Sequence, residues 1–366
     1  MSKIVAIFIA ISILLIMGVI KLPRQEMASP VAKKDEQSVL QKIIDQKVFD
    51  ENRGKVAAEV VDWARGYAPE HPTVDGTAYI VVDQKGDAVF AKDIDETRAP
   101  ASLVKLMTAM VVLDLTTGTE NFEVQKESVN LEPTILMVDE GEKLPVGELL
   151  KAMLMTSAND AADVAARGIA KKLGGSPEVF VMLMNEKVKN MGLTKTHFAN
   201  PTGYDDDNQY STPRELSKIA HYAMTAYPEV ADIVKIKEAE IEETKEHKHY
   251  SLPNWNGLLG VYPGVDGVKI GHTEKAGYST VVTATREDIR IMAVLLGAPD
   301  RRARDLWTAD LLNSVFLEQN IRPFRVTRFS LQKREEEWTA QLKKAQEFKS
   351  QFGWIYKQSL TKPAAL

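Results

Sequence analysis

Apolar and polar residues follow patterns that change from region to region along this chain. The first is a nearly unbroken apolar run over residues 4–20, followed by Lys21, Pro23 and Arg24. It exceeds the roughly 7–15 residues of a signal-peptide core and reaches the lower limit of about 17 for a membrane-spanning helix. Residues 1–24 therefore predict an export signal. Because no good A-x-A cleavage site follows, we favour a retained membrane anchor, although the basic residues after the run by themselves favour the opposite orientation.

The next region is polar, but its apolar residues recur at helical spacing. Between residues 33 and 67 this spacing predicts two helices within a linker of residues 25–72, and we expect the second to pack on the following domain. Alternation of apolar and polar residues then extends from residue 77 to residue 93 around a turn at Lys85, Gly86 and Asp87. This alternation predicts a β-hairpin.

The middle of the chain, from residue 116 to about residue 250, has mostly helical periodicity. Caps and glycines set the bounds of the predicted helices. These are 146–155, 159 or 160 to 173, 177–191 and 212–226. A charged segment at residues 235–249 predicts a solvent-facing hairpin. Three successive strands are predicted within residues 264–299, followed by a helix over residues 301–319.

This order of elements has a topological consequence. Strands lie early and late in a domain of residues 73–323, so we expect one sheet formed from both ends, with residues 116–250 as an inserted helical lobe. Residues 324–366 form a charged tail that is too short for an ordinary second domain. An apolar stripe along the tail predicts a helix that packs on the body rather than on a membrane. The stripe consists of Trp338, Leu342, Ala345, Phe348 and Phe352.

Composition limits the chemistry of the chain. Its 366 residues carry a formal net charge of −5 and include no cysteine. No long basic block is present, so nucleic acid is not an expected partner. Without cysteine there is no disulfide framework, thiol nucleophile or thiolate metal site. The histidines are scattered, and His247 and His249 fall in the charged segment, so a zinc peptidase is not expected.

A candidate nucleophile lies where a proline-bearing loop enters an apolar helix, between Asp95 and Leu115. Ser102 is at the mouth of this helix and Lys105 follows one turn later, so the hydroxyl and the amine share a helix face. Free backbone N–H groups at a helix N-terminus stabilise a developing anion. The pair suits acyl transfer, but S-x-x-K also occurs by chance because serine is a favoured N-cap.

Two further motifs decide between these interpretations. After Ser102-Leu-Val-Lys105 come Ser157-Ala-Asn159 and Lys269-Ile-Gly271. S-x-x-K with S-D-N and K-T-G is the signature of penicillin-binding proteins and class A β-lactamases. From about residue 77 to residue 321 the chain resembles the penicillin-binding serine D-alanyl-D-alanine carboxypeptidases. The segments that carry the resemblance are PASLVKLMTA, LLKAMLMTSANDAA, HFANPTGYDDDNQYSTPREL and YPGVDGVKIGHTEKAGYSTVV.

The resemblance implies an α/β (α+β) fold of the β-lactamase/transpeptidase type, with an antiparallel sheet flanked by helices and an inserted all-helical lobe. It also implies that Ser102 is the nucleophile and Lys105 the base that accepts its proton. Ser157 would relay the proton to the leaving amine, and Asn159 would hold the substrate's amide. Lys269 would support proton transfer and attract an anionic substrate terminus.

Two of these assignments have purely structural alternatives. Ser157 and Asp160 also fit an S-x-x-D capping box at the start of a helix. Lys269 could be an exposed lysine on a strand. We favour the functional interpretation for both, because the motifs occur in the order that the family has.

The family's substrate-binding residues are carried over in the same way. The backbone N–H groups of Ser102 and His272 would form the oxyanion hole. Lys269, Ile270, Gly271 and Thr273 would line the substrate site. In the family, the helix after the last strand supplies an arginine for the terminal carboxylate. Arg304 fits best, with Arg301 and Arg302 as close rivals.

Ile270 departs from the family, which almost always has threonine at this position. The missing hydroxyl would have donated a charged hydrogen bond of roughly 1.5–3 kcal/mol to the substrate carboxylate. Its loss corresponds to about one to two powers of ten in rate, which is small beside an acceleration of at least about 10⁶. Thr273 and Arg304 could still bind the carboxylate. We therefore expect Ile270 to weaken the enzyme or shift its substrate without abolishing activity.

The function implied is that of an exported serine peptidase of the bacterial cell envelope, anchored to the membrane by its N-terminal segment. It would trim the terminal D-Ala from peptidoglycan stem peptides, be blocked by β-lactams, and need no cofactor or metal. One alternative is a weakly active or inactive member that serves as a peptidoglycan-binding scaffold. A β-lactamase is less favoured, because no E-x-x-L-N-type loop lies between the second and third motifs.

Overall fold

The structure is a computed structural model of the chain that describes residues 36–38, 40–41, 60, 62–74 and 78–355. The predicted anchor, most of the predicted linker helices and residues 356–366 lie outside the described residues. No helix in the described ranges is long and apolar enough to cross a membrane.

From residue 78 onward the structure is a mixture of strands and helices. The strands are β1 (Ala78–Val82), β2 (Ala88–Lys92), β3 (Asn121–Glu123), β4 (Lys143–Pro145), β5 (Glu238–Ile241), β6 (Tyr250–Pro253), β7 (Val265–Thr273), β8 (Gly277–Arg286) and β9 (Ile289–Ala298). The helices are α1 (Lys105–Leu115), α2 (Val146–Lys151), α3 (Asn159–Lys172), α4 (Pro177–Asn190), α5 (Pro213–Ala226), α6 (Pro228–Val234), α7 (Arg301–Glu318) and α8 (Arg328–Gln346).

One antiparallel sheet connects the two ends of the domain. Its strands follow the order β2-β1-β9-β8-β7, and β1 pairs with both β2 and β9. The predicted hairpin, the three late strands and their union in a single sheet are therefore confirmed. β7 lies at the end of this order, so it is an edge strand whose backbone can receive an extended peptide.

Alternate residues of the sheet face two layers of the core. Ile80 of β1 belongs to a buried cluster that includes α1 and the lobe helices. Tyr79 belongs to a second cluster, which includes Leu311 of α7. α1 is apolar on nearly all sides, as expected for a helix that is buried among the lobe helices α3, α4 and α5.

The predicted lobe helices are confirmed as α2 to α5, with bounds that differ by a few residues. The first of them changes after Lys151 into a π-helical turn, Ala152–Thr156. α5 begins after Thr212, whose side chain accepts a hydrogen bond from the N–H of Glu215, as expected for a threonine cap. Two antiparallel pairs, β3 with β4 and β5 with β6, accompany these helices.

The charged segment 235–249 enters a hairpin formed by β5 and β6. Most of residues 235–246 are exposed, as predicted, but the prediction that the segment faces solvent is wrong for its last three residues. His247, Lys248 and His249 are buried. The Nζ atom of Lys248 lies 2.7 Å from a carboxylate oxygen of Asp139, and the ring of Phe348 stacks on His249 with centroids 4.1 Å apart. These partners are distant in sequence, so the local charge pattern cannot reveal them.

The tail forms a helix that packs on the body, as predicted. α8 starts with a capping box in which Thr327 and Ser330 exchange side-chain and backbone hydrogen bonds. Trp338 and Leu342 are buried, whereas Phe352 lies beyond the helix and is 43% exposed. Phe352 is therefore not part of the packed stripe.

Candidate active site

Ser102 lies in a 3-10 turn, Ala101–Val104, that passes directly into α1 at Lys105. Ala101 has a φ of 48°, a left-handed conformation that non-glycine residues rarely adopt. Such a conformation persists only where the surrounding structure determines it. The turn thus holds Ser102 in one position at the start of the helix.

Two glycines allow other segments to approach this turn closely. A Cβ atom on Gly203 would lie 2.2 Å from the carbonyl oxygen of Ala101, and a Cβ atom on Gly271 would lie 3.0 Å from the backbone nitrogen of Ser102. Gly203 therefore has no room for a side chain, and Gly271 has very little. Because Gly271 belongs to β7, the third motif lies directly beside the first.

The amine of Lys105 is wholly buried at the centre of the site. Its Nζ atom is 2.9 Å from Oγ of Ser102, 2.8 Å from Oδ1 of Asn159 and 2.5 Å from the carbonyl oxygen of Thr202. Burial lowers the pKa of Lys105 to about 7, against the opposing effect of the Asp160 carboxylate. A large fraction of the amine is therefore neutral near pH 7.

A neutral Lys105 is arranged to act as a base on Ser102. An ammonium group has three N–H donors, whereas a neutral amine has two and a lone pair. When Asn159 and Thr202 accept those two donors, the lone pair faces the serine hydroxyl. The 2.9 Å contact then runs from the Oγ–H of Ser102 to Nζ of Lys105, which activates the serine as a nucleophile.

Ser157 follows the π-helical turn and has a left-handed φ of 64°. Its Oγ accepts a hydrogen bond from Nζ of Lys269 at 2.8 Å. The N-cap of α3 is Ala158, and the carboxylate of Asp160 accepts from the backbone N–H groups of residues 136–138 and 161. The capping-box alternative is therefore wrong, and the hydroxyl of Ser157 belongs to the site.

Asn159 connects the lobe to the nucleophile. Its Oδ1 accepts from Lys105, while its Nδ2 is 3.1 Å from the carbonyl oxygen of Leu131 and 3.3 Å from the hydroxyl of Tyr204. Burial raises the pKa of Tyr204 to about 12, so this hydroxyl keeps its proton. These contacts orient the amide of Asn159, whose contact with a substrate amide stays a prediction.

Lys269 is a second buried amine, which excludes the alternative of an exposed strand lysine. Besides Ser157, its Nζ donates to the carbonyl oxygen of Ile270 at 2.9 Å. Burial lowers the pKa of Lys269 well below its ordinary value, and the charges of Lys105 and Arg304 lower it further. The site thus contains two hydrogen-bonded pairs of a serine and a buried lysine, Ser102 with Lys105 and Ser157 with Lys269.

The residues that follow on β7 lie beside the nucleophile, because β7 packs against the 3-10 turn. The ring of His272 stacks on Tyr278 with centroids 3.9 Å apart. Burial lowers the pKa of this ring. The role predicted for His272 uses its backbone N–H and stays a prediction. Thr273 donates from Oγ1 to Asp205 at 2.6 Å, so the hydroxyl predicted for the substrate is engaged with a carboxylate.

Two predicted substrate-binding side chains have protein partners. Arg304 is 1% exposed, and its Nε and Nη2 atoms are 2.7 and 3.0 Å from the carboxylate oxygens of Asp305. Ile270 is buried in an apolar cluster with Trp255, Trp338 and Leu342. Their contacts with a substrate stay predictions.

Three residues of the site were not predicted from sequence. They are Thr202, which accepts from Lys105, Tyr204, which contacts Asn159, and Asp160, whose charge opposes the lowering of the pKa of Lys105. A signal for Thr202 and Tyr204 was present in the sequence NPTGY, because Asn200 accepts from the N–H groups of Gly203 and Tyr204 in a tight turn. Within the described part of the chain, no group of three His, Asp or Glu side chains could hold a metal ion.

Comparison with known proteins identifies a consistent set of relatives. Residues 65–300 match the family described as Peptidase_S11, D-alanyl-D-alanine carboxypeptidase. The chain is 30% identical over 252 residues to D-alanyl-D-alanine carboxypeptidase DacF of Bacillus subtilis (strain 168), covering 68% of this chain and 63% of DacF. It is 31% identical over 271 residues to DacA of Escherichia coli (strain K12), covering 70% of this chain and 65% of DacA. The chain thus spans less than two thirds of the length of these two relatives.

Solved structures of related proteins have a fold similar to that of this chain. Penicillin binding protein 5 from Haemophilus influenzae is 30% identical with a TM-score of 0.62, over 68% of this chain and 73% of that chain. The Streptomyces K15 DD-transpeptidase is 28% identical with a TM-score of 0.62, over 68% of this chain and 100% of that chain. The β-lactamase/transpeptidase fold expected from the sequence is therefore confirmed.

Proposed function

The chain belongs to the D-alanyl-D-alanine carboxypeptidase family, and we propose that it removes the terminal D-alanine from peptidoglycan stem peptides through an acyl-enzyme on Ser102. One observation carries the proposal. The buried amine of Lys105, with its pKa lowered to about 7, lies 2.9 Å from the hydroxyl of Ser102. This pair supplies a base and a nucleophile without any further group.

The reaction follows from the contacts within the site. Lys105 takes the proton of Ser102 as Oγ attacks the carbonyl carbon of the penultimate D-Ala. The oxyanion that forms is stabilised by the backbone N–H groups of Ser102 and His272. A proton then passes through Ser157 to the leaving amine, the C–N bond breaks and an ester remains on Ser102. Water hydrolyses this ester and restores the enzyme.

A β-lactam undergoes the first half of this reaction, the acylation of Ser102. Attack by Ser102 opens its ring, but the amine that is released stays tethered to the acyl group, so the ester persists. We further propose that the protein works on the extracytoplasmic side of the membrane, held there by residues 4–20. The proposal rests on the apolar run and on the location of peptidoglycan.

An inactive, scaffold-type member is the less favoured function. A decayed site would be expected to lose several of its groups. In this chain Ser102, Lys105 and Asn159 are joined by hydrogen bonds, and Ser157 is joined to Lys269. The observation that favours an inactive member is Ile270, which stands where the family almost always has threonine.

Labelled penicillin tests the proposal directly. Wild-type protein should form a covalent adduct on the peptide that contains Ser102, and Ser102→Ala should form none. Release of D-alanine from a peptide that ends in D-Ala-D-Ala should disappear with the same substitution. If the wild type is labelled no better than Ser102→Ala and releases no D-alanine, the proposed function is wrong.

A further inference from the structure

The tail helix α8 packs beside the catalytic strand β7. Its residues Trp338 and Leu342 are buried in one apolar cluster with Trp255 and with Ile270 of β7. The rings of Trp255 and Trp338 meet edge to face, with centroids 5.1 Å apart. α8 lies outside residues 65–300, the part of the chain that matches the carboxypeptidase family. A segment that the family match does not include therefore takes part in the packing around the third motif.

The same cluster is connected to the second motif through Trp255. The backbone N–H of Trp255 donates to the carbonyl oxygen of Met155 at 3.2 Å. Met155 belongs to the π-helical turn Ala152–Thr156, and Ser157 follows this turn directly. Because the ring of Trp255 meets Trp338 while its backbone holds the turn, a shift of this ring changes the position of Ser157.

Ile270 connects the cluster to Lys269. The carbonyl oxygen of Ile270 accepts from Nζ of Lys269 at 2.9 Å, and its side chain belongs to the cluster. The same Nζ donates to Oγ of Ser157 at 2.8 Å. The turn before Ser157 and the strand that carries Lys269 are thus both attached to one buried cluster. The distance between the serine and the amine therefore depends on how this cluster is packed.

α8 is also held on the body at points outside this cluster. Leu331, in its first turn, is buried in the second cluster of the core, which includes Leu311 of α7. The guanidinium group of Arg334 donates to the carbonyl oxygen of Lys237 at 3.2 Å. Removal of the Trp338 ring therefore changes the packing of its cluster without releasing the helix.

We propose that Trp338 is a positioning residue, which acts through the shared cluster to hold Ser157 and Lys269 at hydrogen-bonding distance. Trp338 acts in this way without contacting the substrate. The step that depends on it is the passage of a proton through Ser157 to the leaving amine. The inference rests on the acyl-enzyme reaction that is proposed above as the function.

Trp338→Ala tests the inference in the full-length chain. Without the ring the cluster repacks, and Ser157 moves relative to Lys269. We expect the acylation of Ser102 by labelled penicillin, and kcat for a D-Ala-D-Ala peptide, to fall about ten- to hundredfold, the range typical of a displacement near 1 Å. KM should change by less than about threefold, since no contact with the substrate is lost.

Leu331→Ala is the matched control, because it removes a buried apolar side chain from the same helix. Its cluster contains no residue of the three motifs. The variant should lose thermal stability, as Trp338→Ala does, but acylate Ser102 within about twofold of the wild-type rate. Trp338→Phe keeps a ring of smaller volume and should slow acylation about two- to fivefold. It supplies the comparison if Trp338→Ala does not fold.

A double-mutant cycle separates positioning from a general loosening of the domain. In the Ser157→Ala background, Trp338→Ala should slow acylation by less than about twofold, because no hydrogen bond is left to misalign. The full loss in this background, or equal rates for Trp338→Ala and Leu331→Ala, would overturn the inference while labelled penicillin still marks Ser102 in the wild type. A wild type that is neither labelled nor releases D-alanine would instead refute the proposed function, and the inference with it.

Discussion

The Nζ atom of Lys105 lies 2.9 Å from Oγ of Ser102 and is completely removed from solvent. The chain brings the two atoms together with a single turn of backbone, since the residues are three positions apart. Burial of the amine depends on residues from elsewhere, above all Asn159 and Thr202. The base is therefore built locally, but its basicity is set by the fold.

The pH dependence of acylation should report the pKa of Lys105. The neutral amine is the active form, and the pKa is lowered to about 7, so activity should be high above this pH and fall as pH decreases through it. Well below pH 7 the rate of Ser102 acylation by labelled penicillin should decrease about tenfold per pH unit. A flat profile between pH 5.5 and 8.5 in protein that remains folded would contradict this assignment.

Gly203→Ala should disrupt the turn that holds Ser102. The new Cβ would lie 2.2 Å from the carbonyl oxygen of Ala101 and 2.8 Å from the backbone nitrogen of Ser102, so the nucleophile must move. We expect acylation to slow by about 10²-fold, the effect typical of a displacement near 1 Å. Gly118→Ala is the control, because Gly118 also has a positive φ but no atom within 4 Å of the added Cβ. If both variants acylate equally, the close approach is not what positions Ser102.

The buried pair of Lys187 and Asp114 should matter for stability. Their charged atoms are 2.8 Å apart, and the side chains are 0% and 2% exposed. Lys187→Met would leave the carboxylate of Asp114 buried without its cation, so we expect a loss of about 3–5 kcal/mol in the free energy of unfolding. Lys189→Met, at a side chain that is 76% exposed, should change it by less than about 0.5 kcal/mol. Urea unfolding of both variants measures the difference, and similar midpoints would refute the prediction.

Ile270→Thr should have opposite effects on activity and stability. The hydroxyl restores the donor that the family has, so kcat/KM for a D-Ala-D-Ala peptide should rise, as expected from the sequence. The smaller and polar side chain is buried against Trp338, so the free energy of unfolding should fall by about 1–3 kcal/mol. Ile270→Val has nearly the shape of threonine without its hydroxyl and serves as the control. An unchanged or lower kcat/KM for Ile270→Thr relative to Ile270→Val would exclude a useful hydroxyl at this position.

Much of the architecture was predictable because it depends on neighbours in sequence. The alternation around Lys85 and Gly86 predicted the β1–β2 hairpin, and Thr212 before Pro213 marked the start of α5. These signals reflect side-chain periodicity and capping, which operate over a few residues. The order of the three motifs added the family and, with it, the fold.

Other features could not be predicted, since they depend on which distant surfaces meet. The charged residues Lys248 and His249 are buried because Asp139 and Phe348 meet them. Ile270 is buried because Trp338 of the tail helix packs in the same apolar cluster. A local pattern contains no information about such partners, because they lie far away in sequence.

By itself, the sequence determined the elements, their order and the identity of the reactive groups, because periodicity, caps and motifs are written in adjacent positions. The tertiary structure alone decided the burial that lowers the pKa of Lys105, the contact of Ser157 with Lys269 and the packing of Trp338 on Ile270. Desolvation and contacts between distant residues arise only when the chain has folded, since both depend on what lies around a group in space.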